Sequence, residues 1–268
     1  MTATDTVFAG SIPAIYDRYM VPLIFAPYAE LVAERAKVLG PSRILETAAG
    51  TGVVTEALHR AVPEAEIVAT DLNQPMLDEA ARKVRATNVM FRQADALNLP
   101  FEDSSFDLVV CQFGVMFFPD KVTANAEARR VLREGGHYLL VIWDRIDRNL
   151  ATRAAGAAVA KLFPEDSGAF YERIPFRYHD VALIESDLRA AGFQKIEIDT
   201  VELRSRAASA RDVAIGMTQG TPMRSEIEKR GPDALAGATE AAEQALRQFE
   251  GPDGFDAPMS AHIVTATK

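Results

Sequence analysis

Four polar side chains, Glu46, Asp71, Asp95 and Gln112, each stand directly behind a short apolar run, in RILE, EIVATD, VMFRQAD and FDLVVCQ. Gly50 and Gly52 follow the first of them in ETAAGTG. If those runs are neighbouring parallel strands, the polar groups collect at one edge of a sheet, where ligands of open α/β sheets bind. Glycines in the first loop permit close backbone approach and unusual dihedrals. A helix starting near Val53 offers its N-terminal amides. Asp71 comes roughly 20 residues after the glycines, where a carboxylate accepts from ribose hydroxyls. Asp95, behind the third run, suits an adenine amino group, and Gln112 stands near the mouth of the same crevice. Any one of these alone is most simply a polar residue closing a strand. Their joint placement points to a nucleoside-bearing ligand.

The spacing also separates one such ligand from another. A nicotinamide-binding loop normally has a third glycine, whereas GTGVVT has Thr55 there. A short-chain dehydrogenase needs a tyrosine followed four residues later by lysine, and none of the six tyrosines has that partner. Glu46 beside a pyrophosphate would set anion against anion. It suits a ligand with an ammonium group and no phosphate, which favours S-adenosylmethionine.

The elements that must hold these residues alternate between residues 43 and 144. RIL, EIVATD, VMFRQ, SFDLVVC and HYLLVIW read as strands. VVTEALHRAV and QPMLDEAARKV read as helices, Pro75 fitting the first turn of the second. A further helix from Lys121 to Arg133 is expected to stop at Gly135-Gly136. Continuously apolar strands separated by helices predict a parallel sheet covered on both faces. Beyond it, helices are expected over 149–162 and 180–191. KIEIDTVEL then alternates like an edge strand, and AHIVTAT is the last strand. A helical stretch of more than 50 residues separates that final pair.

Composition narrows the partners. A formal net charge of −9 disfavours nucleic acid, whose phosphates repel an acidic protein. No segment reaches the roughly 18 apolar residues of a membrane span, and MTATDTVFAG lacks the pattern of a signal peptide. A cytoplasmic protein without a membrane span is therefore expected. Cys111, the single cysteine, sits in an apolar run and reads as a small core residue.

ILETAAGTG, IVATDLNQPML, FRQADALNLPF, FDLVVCQFGVMFFPD and EARRVLREGGHYLLVIWD, in that order, resemble the successive motifs of class I S-adenosylmethionine-dependent methyltransferases. The nearest branch is the ubiquinone/menaquinone-biosynthesis-like group acting on small molecules. The resemblance covers about residues 40–145. It implies a Rossmann-like, doubly wound, seven-stranded, mostly parallel sheet whose last strand is antiparallel. One domain over 1–268 is expected, with an N-terminal helical lid (1–29), a cofactor-binding core (30–145) and a helical cap inserted at 204–258. The resemblance implies that Glu46, Ala48, Gly50 and Gly52 hold the methionine end of the cofactor. Asp71 would take the ribose, Leu72 would flank the adenine, Asp95 and the Ala96 amide would read its edge, and Gln112 would line the sulfonium side. Tyr16 and Tyr19 of the lid would cover the sulfonium, with Phe113 and Trp143 lining the acceptor side. Ala48 stands where the family often has glycine; alanine fits there if its dihedrals are ordinary, and a left-handed backbone would count against the alignment.

Methyl transfer from a sulfonium is an in-line displacement at an activated carbon. Holding nucleophile and methyl in line at about 3 Å supplies several kcal/mol without a catalytic group. A base is needed only for a protonated acceptor. His179, in FRYHD ahead of a helix, is the candidate, although a structural role at a helix start is the commoner one for such a residue; His137, His59 and His262 are weaker. CQFG at the fourth strand lacks the Asn/Asp-Pro-Pro-Tyr pattern of enzymes that methylate amide or nucleobase nitrogen. Asp120 and Asp144 are isolated, so no metal is expected. The sequence thus predicts an S-adenosylmethionine-dependent methyltransferase for C- or O-methylation of a small, partly apolar metabolite. Methylation of a carboxylate or a lipid headgroup, and a non-catalytic S-adenosylmethionine-binding regulator, are the alternatives; a dehydrogenase ranks below them. The helical insertion is expected to cap the acceptor pocket, with a homodimer interface as its rival use.

Overall fold

The computed structural model describes Phe8, residues 10–164 and residues 170–268; residues 1–7 and 9 of the expected lid lie outside the described residues. Helix α1 (Ile12–Ile15) runs into a π-helix (Tyr16–Phe25) and then α2 (Ala26–Leu39). There follow β1 (Arg43–Thr47), α3 (Val53–Ala61), β2 (Glu66–Asp71), α4 (Gln74–Lys83), β3 (Val89–Gln93), β4 (Phe106–Gln112), α5 (Lys121–Val131) and β5 (Leu132–Trp143). The remainder comprises α6 (Leu150–Leu162), α7 (Phe170–Arg173), α8 (Val181–Ala190), β6 (Lys195–Ala207), α9 (Ala210–Gln219), α10 (Met223–Glu228), α11 (Ala234–Leu246), β7 (Glu250–Gly251) and β8 (Gly254–Thr267).

The chain divides into two compact units. One comprises Tyr28–Trp143, Tyr178–Val201 and Ala261–Lys268. Its sheet has the order β3-β2-β1-β4-β5-β8-β6. The pairs β1/β2, β2/β3, β1/β4 and β4/β5 are parallel, and β8 runs antiparallel to β5. This is the mostly parallel Rossmann-like sheet with an antiparallel last strand; the two-residue β7 raises the strand count from seven to eight. Every residue of β4 is buried, as a strand between two parallel neighbours with helices on both faces must be. Helix α3 buries Val54, Thr55, Ala57 and Leu58 and exposes Glu56 and Arg60. Asp120 caps α5 by accepting from the Thr123 amide at 2.9 Å, and Asp180 caps α8 from Ala182 at 2.8 Å.

Three boundaries differ from those expected. Helix α5 ends at Val131, and Gly135-Gly136 lies inside β5 and not beyond a helix end. The register jumps from Phe106↔Leu132 to Leu108↔His137, so the glycine pair forms a bulge. Gly136 is required there, since a Cβ would lie 2.9 Å from the Arg133 carbonyl oxygen and 3.0 Å from that of Asp107. Strands β6 and β8 both run further than their alternating segments suggest, to Ala207 and from Gly254, so the helices between them, with a closing 3-10 turn at Arg247–Phe249, occupy only residues 210–249.

The other unit comprises Met1–Pro27, Asp144–Arg177 and Glu202–Ser260. Helices α6, α9 and α11 pack together in it. Small and hydroxyl residues bring them close: Thr218 and Thr239 share a buried hydroxyl bond of 2.8 Å, and Tyr171 donates to the Met217 carbonyl at 2.8 Å. Gly216 and Gly220 let α9 approach the π-helix, where a Cβ on Gly216 would stand 3.0 Å from Met20 Sδ.

Candidate functional site

The strand order reverses between β1, whose successors lead to β2 and β3, and β4, whose successor is β5. A crevice opens beyond the carboxyl ends of the strands at such a reversal. The residues there have unusual backbones. Ala48, Gly50 and Gly52, in the loop between β1 and α3, have φ of 54°, 57° and 85°. Phe113, immediately after β4, has φ of 54°. Ala48 therefore departs from the ordinary dihedrals expected of it. A left-handed alanine or phenylalanine costs roughly 1–2 kcal/mol; such strain persists only where surrounding contacts enforce it, commonly at ligand sites.

Those contacts are visible. A Cβ on Gly114 would fall 2.5 Å from the Ala48 methyl and 2.9 Å from Cys111 Sγ. The glycine after Phe113 thus accommodates the methyl of Ala48, and the two turns interlock. Gly52 has a separate reason: a Cβ there would lie 2.9 Å from that of Ala80 on α4. The loop amides are held as well, Ala49 donating to the Thr70 carbonyl at 2.9 Å and Gly52 to that of Ala49 at 3.0 Å.

Two acidic side chains line this loop. Glu46, 2% exposed, accepts from the Thr55 hydroxyl at 2.6 Å through Oε2. Its Oε1 has no hydrogen bond among the described residues. Burial pushes its carboxyl up to about 8, with a hydrogen bond from Thr55 acting against that and the charge of Asp71 adding to it. Asp71, at the end of β2, accepts from the Gly50 amide at 2.9 Å on Oδ2 and from the Asn73 amide at 2.8 Å on Oδ1. Burial raises its pKa too, against the pull of those amides. Leu72, next in sequence, is a large apolar side chain left 54% exposed. Asp95 is exposed and accepts from the Leu97 amide at 2.9 Å, which fixes the turn that contains Ala96. Gln112 is buried at the end of β4, opposite Val141.

On the far side of β4, Phe113 stacks on Trp143 with centroids 3.7 Å apart and planes at 12°. Tyr28 meets both rings edge-on and donates its hydroxyl to the Val201 carbonyl at 3.0 Å. All three rings are buried. Tyr16 and Tyr19 belong to the other unit: Tyr16 stacks on Phe25 at 5.0 Å, and the Arg18 guanidinium lies over the Tyr19 ring. His179 precedes the Asp180 cap of α8, and its carbonyl accepts from His262 Nε2 at 3.1 Å; the Thr200 hydroxyl meets Nδ1 of that ring at 2.9 Å. Among the described residues, no cluster of His, Cys, Asp or Glu could hold a metal, and no helix is long and apolar enough to cross a membrane.

The structure thus brings Glu46, Ala48, Gly50, Gly52 and Asp71 together around one loop, and Phe113 against Trp143. Sequence reasoning missed Thr55 as a partner of Glu46, Gly114 as a partner of Ala48, and Tyr28. Thr55 carried a signal: a hydroxyl where a dinucleotide loop has glycine. Tyr28 carried none, because its neighbours are distant in sequence.

Comparison with known proteins gives this arrangement a context. The family described as a methyltransferase domain matches residues 44–136 and runs through the left-handed Ala48. The ubiquinone/menaquinone biosynthesis C-methyltransferase UbiE of Stutzerimonas stutzeri is 32% identical over 206 residues, 72% of this chain and 76% of its own length. Among solved structures, the YcgJ protein of Bacillus subtilis superposes with a TM-score of 0.57 at 20% identity, over 90% of this chain and 98% of that one. Phosphoethanolamine N-methyltransferase 2 of Haemonchus contortus, solved with S-adenosyl-L-methionine, has a TM-score of 0.59 at 18% identity, over 96% of this chain and 56% of its own. The two structural likenesses concern the fold alone.

Proposed function

We propose that this chain, which belongs to the S-adenosylmethionine-dependent methyltransferase family, methylates a small, partly apolar metabolite, and that the loop between Glu46 and Asp71 holds the cofactor. The observation that carries the reading is the pair of buried carboxyls at the ends of β1 and β2, one on each side of a loop with three left-handed residues. The residues fit the group. Glu46 has one oxygen held by Thr55 and the other without a hydrogen bond among the described residues, so a cation such as the ammonium of an amino-acid tail completes it. Asp71 has each oxygen fixed by a backbone amide, which leaves lone pairs for ribose hydroxyls. Leu72 supplies an apolar face for a base, Asp95 and Ala96 its edge, and Gln112 the side toward the reacting centre.

S-adenosylmethionine supplies a methyl group already activated by a sulfonium. The chain's own contribution is to bind and orient: the loop fixes the amino-acid and ribose ends, and the strained Phe113, stacked on Trp143, is assigned to the acceptor side. The name of the Stutzerimonas stutzeri relative supports carbon as the methylated atom. The net charge of −9 supports a small acceptor over a nucleic acid.

The test has two stages. S-adenosylhomocysteine at about 100 times its Kd should stabilise the protein by about 2.7 kcal/mol, and NAD should not; stabilisation by NAD alone would overturn the cofactor reading. Methyl transfer is then followed with labelled cofactor against hydroquinones with and without an apolar tail, carboxylic acids and ethanolamine headgroups. Turnover confined to the last two classes would overturn the proposed acceptor.

A further inference from the structure

Thr55 is fully buried on the first turn of α3, and its hydroxyl donates to Glu46 Oε2 at 2.6 Å. Valine would fill the same volume there, so the hydroxyl needs a reason beyond packing. Its position is rigid. A threonine in a helix is confined to two χ1 rotamers, full burial limits it further, and the helix start is fixed by the left-handed Gly52 packed against Ala80. Glu46, by contrast, is a long side chain whose carboxylate could adopt several rotations on β1. One strong bond to a rigid donor selects one of them.

We propose that Thr55 is a positioning residue for cofactor binding: by holding Oε2 it fixes the Glu46 carboxylate so that Oε1 is presented to the ammonium of the cofactor's amino-acid end. The proposal rests on the reading of Glu46 given above. Preorganisation of this kind strengthens binding because the ordering cost is met before the ligand arrives. The same bond favours the ionised form of Glu46, opposing desolvation. The other charged group that acts on this carboxyl is Asp71 on β2, whose charge raises it; the buried Cys111 on β4 is itself pushed up by burial and by Glu46. Neither can replace a neutral donor: a second carboxylate repels, and a thiol held protonated by burial donates weakly.

The experiment compares Thr55→Val, Thr55→Ser and Glu46→Gln with the parent protein. Glu46 ionisation is followed without ligand by the infrared carbonyl band of its protonated form, with Glu46→Gln as the baseline. S-adenosylhomocysteine affinity is measured by calorimetry at about pH 7.5 and about pH 9.5. Loss of one hydrogen bond to a charge should move the Glu46 midpoint up by about one pH unit in Thr55→Val. Affinity should then fall about eightfold at the lower pH and less than about twofold at the higher, by the change in ionised fraction. Thr55→Ser should restore both. Thr55→Ala replaces valine if the latter does not fold.

An unmoved midpoint in Thr55→Val and Thr55→Ala overturns the proposal, whatever happens to binding. So does full affinity in those variants when Glu46→Gln has lost it, and that result leaves the reading of Glu46 intact. If the midpoint moves but Glu46→Gln binds as tightly as the parent, the reading of Glu46 falls, and with it the role of Thr55 in binding.

Discussion

Replacing Glu46 by glutamine should change how stability depends on pH, by an amount that follows from the carboxyl's surroundings. The group is buried, and its pKa stands at about 8 against 4.5 for the free side chain. Between those values the folded chain holds a proton that the unfolded chain has released. The contribution to stability is therefore complete below the unfolded pKa and is lost as pH rises through the folded one. The slope is about 1.36 kcal/mol per pH unit while only the folded state is protonated. Integrated from about pH 6 to about pH 9, the parent should lose about 2.5–3 kcal/mol relative to Glu46→Gln, which has no proton to release. His137, lowered by burial, titrates in both proteins, so its effect cancels in the difference, whereas Asp71 acts on Glu46 directly and its titration is part of what is measured. Urea unfolding at half-unit intervals of pH, on both proteins without ligand, gives that difference directly. Parallel curves across the range would refute the burial argument, because a Glu46 ionised in the folded protein has no proton to release between those pH values.

The interlocked turns make further predictions. Ala48→Gly should raise stability by about 0.5–1 kcal/mol, because relief of a left-handed alanine exceeds the entropy glycine adds to the unfolded chain; a lower melting temperature would contradict the backbone geometry. Gly114→Ala should cost more than about 2 kcal/mol through overlap with Ala48 and Cys111. In an Ala48→Gly background it should cost less, since one of the two contacts is gone, and strict additivity in a double-mutant cycle would exclude direct contact. Tyr28→Phe removes a bond of 3.0 Å to the Val201 carbonyl and should cost about 1–2 kcal/mol with the near-ultraviolet dichroism of the ring cluster retained; an unchanged unfolding free energy would show that the bond contributes nothing. Asp107→Ala should cost about 2–3 kcal/mol by orphaning the Ser42 and Arg43 amides, each held at 2.8 Å, and hydrogen exchange at those two amides should report the loss.

What could be read from the chain alone is local. Each parallel strand is a short apolar run, and the residue that leaves it lies at the sheet's carboxyl edge whatever the rest of the chain does. Glu46, Asp71, Asp95 and Gln112 were legible for that reason, as were Gly50 and Gly52, whose left-handed φ no other residue adopts so cheaply. The order of these motifs further pointed to the fold and the cofactor. The strand ends were less legible: Gly135-Gly136 looks like a helix stop because the residues before it favour helix, yet pairing with β4 draws Leu132 onward into a strand. The rest depends on partners far apart in the chain. The methyl of the left-handed Ala48 fits only because position 114, far along the chain, carries no side chain. Tyr28, Phe113 and Trp143 become one cluster only when α2, β4 and β5 meet. The Glu46 carboxyl reaches about 8 because every neighbour that excludes water contributes to its desolvation. Pattern and propensity are properties of adjacent residues. Burial, close contact and proton affinity are sums over the whole neighbourhood, which exists only once the chain has folded.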